Sequence, residues 1–248
     1  MERIDNVTEN RIQLLQEGLS SFPVKPTDRQ LQQFLDYYDI LTEWNQVMNL
    51  TAITDRDEFI VKHYVDSLIA KDIEAMKYAE TVIDVGTGGG FPGVPLAIIF
   101  PEKQFVLMDS LNKRLKVIDD LCAKAGITNV VTLHGRAEDL ARMKEHRDKY
   151  DICVSRAVAN MSVLSEYCLP FVRKGGYFLA YKGPNSEEEV KAAMKAIDIL
   201  GGRVESYTEA FSADVFDFSH YIICIKKIKE TPAKYPRKAG TPSKEPLK

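Results

Sequence analysis

The chain has 248 residues, a formal net charge of −3 and four cysteines. This length suits one large α/β domain with an extension, and it is short for two full domains. The polar N-terminus and the lack of a long apolar run argue against a signal peptide and a membrane span, so we expect a cytoplasmic protein without membrane contact.

The cysteines and histidines lack the spacing of a metal site or a redox pair. Cys122, Cys153, Cys168 and Cys224 are scattered through apolar segments without a C-x-x-C pair, which is typical of reduced core thiols in a cytosolic protein. The four histidines are equally dispersed. We therefore predict no metal site.

An amphipathic helix is the first clear secondary-structure pattern. Thr27 and Gln30 have the spacing of a capping box, and apolar residues then recur at helical intervals towards Trp44. A second stretch, residues 59–73, has the same periodicity. We predict that residues 1–78 form a helical N-terminal extension.

From residue 81 onwards, strand patterns alternate with helix patterns. Short apolar runs predict strands at residues 82–85, 105–108, 130–133, 151–154 and 177–181. Helical patterns follow at residues 113–125, 163–172 and 186–200. Two later strand patterns, 203–210 and 221–227, have no helix between them, which predicts a hairpin. Residues 79–229 are thus expected to form an α/β, Rossmann-like, mostly parallel sheet with an antiparallel last strand, the arrangement of class I methyltransferases.

The segment after the first predicted strand is the most informative. Asp84, Gly86, Gly88, Gly90 and Gly93 combine an acid at a buried strand end with a backbone that can approach a ligand closely. The last three glycines also match the dinucleotide spacing G-x-G-x-x-G, so a nicotinamide cofactor stays an alternative. A carboxylate here would repel a pyrophosphate, whereas it suits the ammonium and sulfonium groups of S-adenosylmethionine. We therefore favour S-adenosylmethionine as the cofactor.

Polar residues follow the later strands at the sheet edge where open α/β sheets bind ligands. Asp109 is placed to accept the ribose hydroxyls, with a helix N-cap before Asn112 as its alternative role. The backbone of Ala137 and the side chain of Glu138 are placed to meet the adenine edge, although a plain loop with an acidic helix start would look the same. Arg156 needs an anion or a buried acid, so either a site role or a structural ion pair explains it.

Residues after the fourth predicted strand limit the acceptor chemistry. Amino methylation of adenine or cytosine tends to use an Asn/Asp-Pro-Pro-aromatic run there, whereas this chain has Ser-Arg-Ala-Val at residues 155–158. Methylation at carbon 5 of a pyrimidine needs a nucleophilic cysteine, and the nearest, Cys153, is expected inside the strand. Oxygen and ring nitrogen are the remaining acceptor classes.

The site segments together resemble one methyltransferase family. They are residues 84–93, 107–111, 113–114, 135–138, 155–158 and 182–183. Segments outside the sheet also match, at residues 44–45, 49–51, 63, 66–68 and 234–242. This pattern resembles the RsmG (also called GidB) family of 16S ribosomal RNA guanine-N7 methyltransferases, a class I S-adenosylmethionine-dependent family. This chain departs from the family pattern in small ways, at Thr87, Gly89 and Lys238.

The resemblance implies a cofactor site and a reaction. It implies cofactor contacts at the backbone of Gly86 and Phe91, at Ala137 with Glu138, and at Arg156. Guanine N7 has an unshared electron pair and no proton, so transfer needs positioning rather than a general base, and we assign no catalytic residue. These contacts add to the residues proposed above from their places in the glycine loop and after the strands. The predicted cofactor-binding residues are Asp84, Gly86, Gly88, Phe91, Asp109, Ala137, Glu138 and Arg156.

The implied partner is 16S rRNA or the small ribosomal subunit. N7 lies on the major-groove edge, which is deep and narrow in paired RNA, so we expect the target guanine in a loop or splayed out. Residues 226–248 carry eight Lys or Arg and two Glu, and the basic tail, residues 230–248, is expected to order on or near the cofactor domain. A solvated, partly disordered end is its alternative. The alternative for each expected phosphate contact is a solvated surface position. The expected contacts are Arg114, Arg136, Lys182, Arg237 and Lys238.

Other functions stay open at this point. A small-molecule methyltransferase would not require the basic tail, a nicotinamide-dependent dehydrogenase would use a similar glycine loop, and a non-catalytic RNA-binding module would keep that loop as a relic. Trp44 either stacks a base or, as is commoner on an amphipathic helix, packs into the core. We expect a monomer.

Overall fold

The computed structural model describes Gln13, Gln16 and residues 26–184, 186–210 and 220–248. Most of the first 25 residues, and the loop 211–219 of the predicted hairpin, lie outside the described residues. Within the described part, no helix is both long enough and apolar enough to cross a membrane.

One sheet carries the described fold. Its strands are β1 Thr81–Val85, β2 Gln104–Asp109, β3 Val130–His134, β4 Tyr150–Arg156, β5 Val172–Lys182, β6 Gly202–Ala210 and β7 His220–Lys227. They lie in the order β3-β2-β1-β4-β5-β7-β6. Neighbours among β1 to β5 pair in parallel, whereas β7 is antiparallel to both β5 and β6. The predicted Rossmann-like sheet with an antiparallel last strand is confirmed.

Helices cover both faces of this sheet. They are α1 Asp28–Asn45, α2 Arg56–Phe59, α3 Glu74–Tyr78, α4 Gly93–Ile99, α5 Asn112–Ala125, α6 Ala137–Leu140, α7 Met161–Cys168, α8 Ser186–Ile199 and α9 Thr241–Lys244. Successive strand residues point to opposite faces. Val82 and Phe105 pack with α1, α4 and α5, whereas Ile83 and Cys153 pack with α7 and α8. The described N-terminal helix α1 therefore shares a core with the sheet.

The start of α1 follows the predicted capping box. The Thr27 hydroxyl accepts a hydrogen bond from the Gln30 backbone, and the Gln30 side chain accepts one from the Thr27 backbone. Further along α1, Trp44 is half-buried, and its indole N–H donates to Asp120 of α5 at 3.0 Å. Of the two interpretations of Trp44, these contacts favour packing.

The prediction of one regular helix over residues 59–73 is wrong. After α2 the chain forms a π-helical turn, Ile60–Val65, and then a 3-10 turn, Leu68–Asp72. The Ser67 hydroxyl donates back to the backbone oxygen of His63 at 2.5 Å, a bond that competes with regular helix geometry. Irregular helical turns of this kind are frequent at functional sites.

β5 begins at Val172, which is earlier than predicted, and this residue pairs with Tyr150. The next pair joins Ile152 to Tyr177, so the residues between them bulge out of β5. Gly175, whose φ is +88°, lies in this bulge. β5 is thus longer than the predicted strand, residues 177–181, and α7 ends at Cys168, before the predicted helix end at residue 172.

The basic tail, residues 230–248, packs onto the domain rather than extending into solvent. Tyr235 is buried in the same core as α7 and α8. The Arg147 guanidinium donates to the backbone oxygens of Thr231 and Tyr235 at 2.7 and 2.8 Å. The alternative of a partly disordered end is therefore wrong.

A fully buried lysine fixes the point where the tail leaves the sheet. Lys227 Nζ donates to Asp148 Oδ1, to the Thr231 hydroxyl, and to the backbone oxygens of Leu169 and Val172, at 2.6 to 3.1 Å. Burial lowers the pKa of Lys227, and the Asp148 carboxylate opposes this shift. Four partners for one ammonium group compensate for its loss of water.

We expect Lys227→Met to lower the free energy of unfolding by about 3 kcal/mol, because it leaves buried acceptors without a donor. Lys229→Met is the matched control, since Lys229 is half-exposed and pairs with the exposed Asp198, and it should cost less than about 1 kcal/mol. Urea unfolding of both variants measures the difference. Equal losses would contradict the role assigned to Lys227.

Candidate active site

A first cavity, of about 340 Å³, opens at the carboxyl ends of the central strands. Six residues predicted for cofactor or RNA binding line it, namely Gly86, Asp109, Arg114, Arg136, Ala137 and Glu138. Val85, Met108, Val158 and Tyr167 complete much of its wall. This is the edge at which open α/β sheets bind ligands.

Gly86 brings the backbone directly against this cavity. Its φ is +76°, and its N–H donates to the backbone oxygen of Met108 at 2.9 Å. A Cβ added here would lie 2.5 Å from Cγ2 of Val158 on the cavity wall. Both the left-handed backbone and the lack of space therefore require glycine.

Asp109 holds the glycine loop against the end of β2. Its Oδ2 accepts from the Gly88 N–H at 3.0 Å, and its Oδ1 accepts from the Leu111 N–H at 2.8 Å. Arg114 approaches the same carboxylate at 3.5 Å. The N-cap of α5 is Leu111, so the alternative of Asp109 as the helix cap is wrong.

Asp84 lies beneath the loop and is fully buried. Its Oδ2 accepts from the Thr87 hydroxyl at 2.7 Å and from the Gly93 N–H at 2.9 Å, whereas its Oδ1 has no hydrogen-bond partner among the described residues. Burial raises the pKa of Asp84 to about 7, although these two hydrogen bonds oppose the shift. The structure thus shows Asp84 joining β1, the loop and α4.

A second cavity, of about 580 Å³, lies beside the first, at the ends of β4 and β5. Its wall includes Ile53, Lys62, His63, Asp66, Arg156, Ala157, Tyr181, Lys182, Gly183 and His220. Ala157 lines both cavities and has a φ of +57°. A non-glycine residue in this conformation is strained, and such strain is concentrated at functional sites.

Asp66 is the charged centre of the second cavity. Its side chain is 1 % exposed, and its two oxygens contact Arg156 Nη1 and His220 Nδ1, each at 2.5 Å. Burial raises the pKa of Asp66, but the hydrogen bond from His220 and the charge of Arg156 outweigh it and lower that pKa. Arg156 therefore forms a structural ion pair that lines a cavity, and its predicted role in cofactor binding stays a prediction.

His63 is held in one neutral tautomer by its neighbours. Burial and the charge of Arg156 lower the pKa of His63 to about 3. Arg156 Nη2 donates to Nδ1 at 3.1 Å, so the ring proton is on Nε2, which lies 2.7 Å from the Thr51 hydroxyl. The His63 ring stacks on Phe91 with centroids 4.3 Å apart. Phe91 thus packs towards the second cavity, with the Arg156 guanidinium 5.3 Å from its ring centroid.

Comparison with known proteins identifies the family. Residues 30–215 match the GidB family model, described as rRNA small subunit methyltransferase G. The chain belongs to this family. The ribosomal RNA small subunit methyltransferase G of Alkaliphilus oremlandii is 51% identical over 237 residues, 95% of this chain and 98% of that protein. The protein of the same name from Clostridium novyi is 52% identical over 220 residues, 89% of this chain and 90% of that protein.

Solved structures with low sequence identity share the fold. The O-methyltransferase TomG from Streptomyces achromogenes, in complex with SAM, has a TM-score of 0.55 at 14% identity, covering 87% of this chain and 96% of its own. NSun6 from Pyrococcus horikoshii, with SFG, has a TM-score of 0.53 at 14% identity, covering 66% of this chain and 52% of its own. These likenesses support the class I methyltransferase fold of this GidB-family chain.

The predicted RNA-contacting residues have different surroundings. Arg114 and Arg136 are on the first cavity, and Lys182 is on the second, where its ammonium donates to the Ala159 backbone oxygen and to Glu189. Lys238 is exposed on the tail. Three of these residues therefore line a cavity, whereas Lys238 is known only as an exposed residue of the tail.

Arg237 is engaged inside the protein. Its guanidinium forms a two-pronged ion pair with Glu166, whose side chain is fully buried, at 2.7 to 3.1 Å. The Arg237 backbone N–H donates to the same carboxylate at 2.7 Å. The pairing occupies Nε and Nη2 of Arg237, and contact of this residue with an RNA phosphate stays a prediction.

Sequence reasoning gave no role to several residues of the site. His63 and Asp66 were part of the matching family pattern, but their role as partners of Arg156 depends on contacts across about 90 residues of chain. His220 and Tyr181 carried no local signal. Among the described residues, no group of three His, Cys, Asp or Glu is arranged to hold a metal ion.

The raised pKa of Asp84 predicts a pH-dependent stability. The folded state binds a proton here between about pH 4 and pH 7 that the unfolded state has released, so stability falls as pH rises through this window, by up to about 4 kcal/mol. Asp84→Asn cannot ionise and should lose this fall. Urea unfolding at pH 5 and pH 8 measures it.

Asp151→Asn is the control, because the pKa of Asp151 is shifted in the opposite direction to that of Asp84. Burial raises the pKa of Asp151, but hydrogen bonds from Arg173 and Thr81 outweigh it, so the pKa is lowered and this carboxylate stabilises the fold at neutral pH. The wild type gains this stability below about pH 4, so Asp151→Asn should be less stable than the wild type at both pH 5 and pH 8 and should keep the wild-type fall between them. An identical pH dependence for wild type and Asp84→Asn would contradict the assignment.

Proposed function

We propose that this chain transfers the methyl group of S-adenosylmethionine to N7 of a guanine in the 16S rRNA of the small ribosomal subunit. The observation that carries this proposal is the similarity, at about half identity and over nearly the whole chain, to proteins named ribosomal RNA small subunit methyltransferase G. Family membership also favours this function over a small-molecule methyltransferase, a dehydrogenase and a non-catalytic RNA-binding module.

The first cavity has groups that fit this cofactor. Asp109 offers a carboxylate to ribose hydroxyls, and Glu138 offers one to the adenine amino group beside the backbone of Ala137. Gly86 and Gly88 leave the loop backbone uncovered, and a side chain at Gly86 would fill the space. When bound, the cofactor supplies an electrophilic methyl group on sulfonium. Asp84 supports this surface from below.

The second cavity fits the acceptor base. It is next to the first cavity across Ala157, and a methyl transfer requires donor and acceptor to meet. Guanine N7 has no proton, so the residues need to hold the base and exclude water. His63 has its Nδ1 engaged by Arg156, which leaves it unsuited to act as a base, in agreement with a reaction that needs none. Arg156 neutralises the Asp66 carboxylate, so this pair shapes the cavity without adding net negative charge to it.

The RNA surface is proposed to include Arg114 and Arg136 at the first cavity, Lys182 at the second, and Lys238 on the tail. Arg237, whose Nε and Nη2 pair with Glu166, is proposed to contribute the rest of its guanidinium. We also propose a monomer in the cytoplasm, where the ribosome is assembled. The division into residues 1–78, 79–229 and 230–248 stays a prediction.

Methyl transfer to isolated RNA tests the reaction. Small-subunit RNA from cells that lack this protein should accept label from S-adenosyl-[methyl-³H]methionine, and mapping should locate the label at N7 of one guanine. RNA from cells that contain the protein is the control, and it should accept little because that position is already modified. Label in a pyrimidine, in a ribose, or equally in both RNA samples would contradict the proposed function.

Gly86→Ala tests the cofactor assignment. Its Cβ would clash with Val158 and require a strained backbone, so affinity for S-adenosylmethionine should fall by at least about 10-fold in calorimetry. Adding Val158→Ala removes the clash but leaves the backbone strain. The double variant should therefore bind S-adenosylmethionine more tightly than Gly86→Ala and more weakly than Val158→Ala alone. Wild-type affinity for Gly86→Ala, in a variant that unfolds cooperatively, would contradict the assignment.

A further inference from the structure

Two buried carboxylates near the first cavity face the tail. Glu138 lines that cavity with 4 % of its surface exposed, and its Oε1 accepts a hydrogen bond from the Gly240 N–H at 2.8 Å. Glu166 is fully buried on α7, one residue before the cavity-lining Tyr167, and its hydrogen bonds come from Arg237. Both carboxylates therefore depend on donors from the last part of the chain.

Arg237 anchors the tail three residues before Gly240. A buried carboxylate is costly unless it is paired, and the fork of Arg237 together with its backbone N–H provides that pairing for Glu166. Arg147 holds the preceding tail backbone at Thr231 and Tyr235. The position of the tail is thus set by interior contacts rather than by its surface charge.

Gly240 has the backbone conformation that this contact needs. Its φ is +83°, in the left-handed region, and a Cβ added there would meet no atom within 4 Å. Conformation rather than crowding therefore favours glycine here. The chain turns at this residue, so that its N–H reaches Glu138 while α9 starts at the next residue, Thr241.

We propose that the tail is part of the cofactor site, with Gly240 as a positioning residue for Glu138. This proposal rests on the proposed function. The Gly240 N–H holds the Glu138 carboxylate in the orientation that accepts the exocyclic amino group of adenine, while the Arg237 to Glu166 pair holds Gly240 in place. The tail thereby serves the methyl donor directly, independently of any contact with RNA.

Thermodynamic linkage makes this proposal testable from both sides. If the docked tail strengthens cofactor binding by a given factor, then bound cofactor must strengthen tail docking by the same factor. Removing the tail contact should weaken S-adenosylmethionine binding without RNA present. Adding S-adenosylmethionine should slow hydrogen exchange of the tail amides, Gly240 among them.

The experiment compares the wild type with a chain that stops after Lys238. This truncation removes Gly240 and α9 but keeps Arg237 on Glu166. Lys244→Ala is the matched control, because it removes an exposed charge from the same segment and keeps the Gly240 backbone. By calorimetry, the truncated chain should bind S-adenosylmethionine roughly 10-fold more weakly or worse, and Lys244→Ala should stay within about 2-fold of the wild type.

Hydrogen exchange on the full-length wild type gives a second measurement that does not depend on the folding of a variant. Exchange of residues 239–245 should slow when S-adenosylmethionine is added. Equal affinity of wild type and truncated chain, or tail exchange that is unchanged by a bound cofactor, would overturn the proposal and leave the proposed function intact. A wild type that does not bind S-adenosylmethionine would overturn the proposed function and this proposal with it.

Discussion

The buried carboxylate of Asp84 is the constraint on which the geometry of both cavities depends. It ties the end of β1 to Thr87 in the loop and to Gly93 at the start of α4. Burying an acid with one unpartnered oxygen is unfavourable, and the pKa of about 7 reflects it. The loop held in this way presents Gly86 to the first cavity and packs the Phe91 ring towards the second.

Each cavity is completed by charged pairs between distant parts of the chain. In the second cavity Arg156 ends β4, Asp66 lies between the two irregular helical turns, and His220 begins β7. Beside the first cavity, Glu138 and Glu166 receive their donors from the tail. Pairing each buried acid with a donor offsets its desolvation, and the pairs to Glu138 and Glu166 also couple the tail to the site.

Local patterns in the sequence predicted the sheet, the glycine loop and half of the residues that line the first cavity. Strand periodicity and glycine chemistry act over a few residues, so β1, β2 and the loop could be located from the sequence. The partner of Arg156 could not, because Asp66 is 90 residues away along the chain. Arg237 was assigned to RNA from its charge alone, whereas its buried partner, Glu166, became visible only in the fold. The bulge in β5 likewise depends on pairing with β4.

We propose that the methyl donor and the acceptor base occupy two adjacent cavities that share Ala157. A crystal structure of the protein with S-adenosylhomocysteine and a short RNA hairpin carrying the target guanine tests this most directly. We expect the adenosyl group against Asp109 and Glu138, and the flipped guanine in the second cavity with N7 directed towards Ala157. A guanine bound outside the second cavity, or an adenosyl group outside the first, would contradict it.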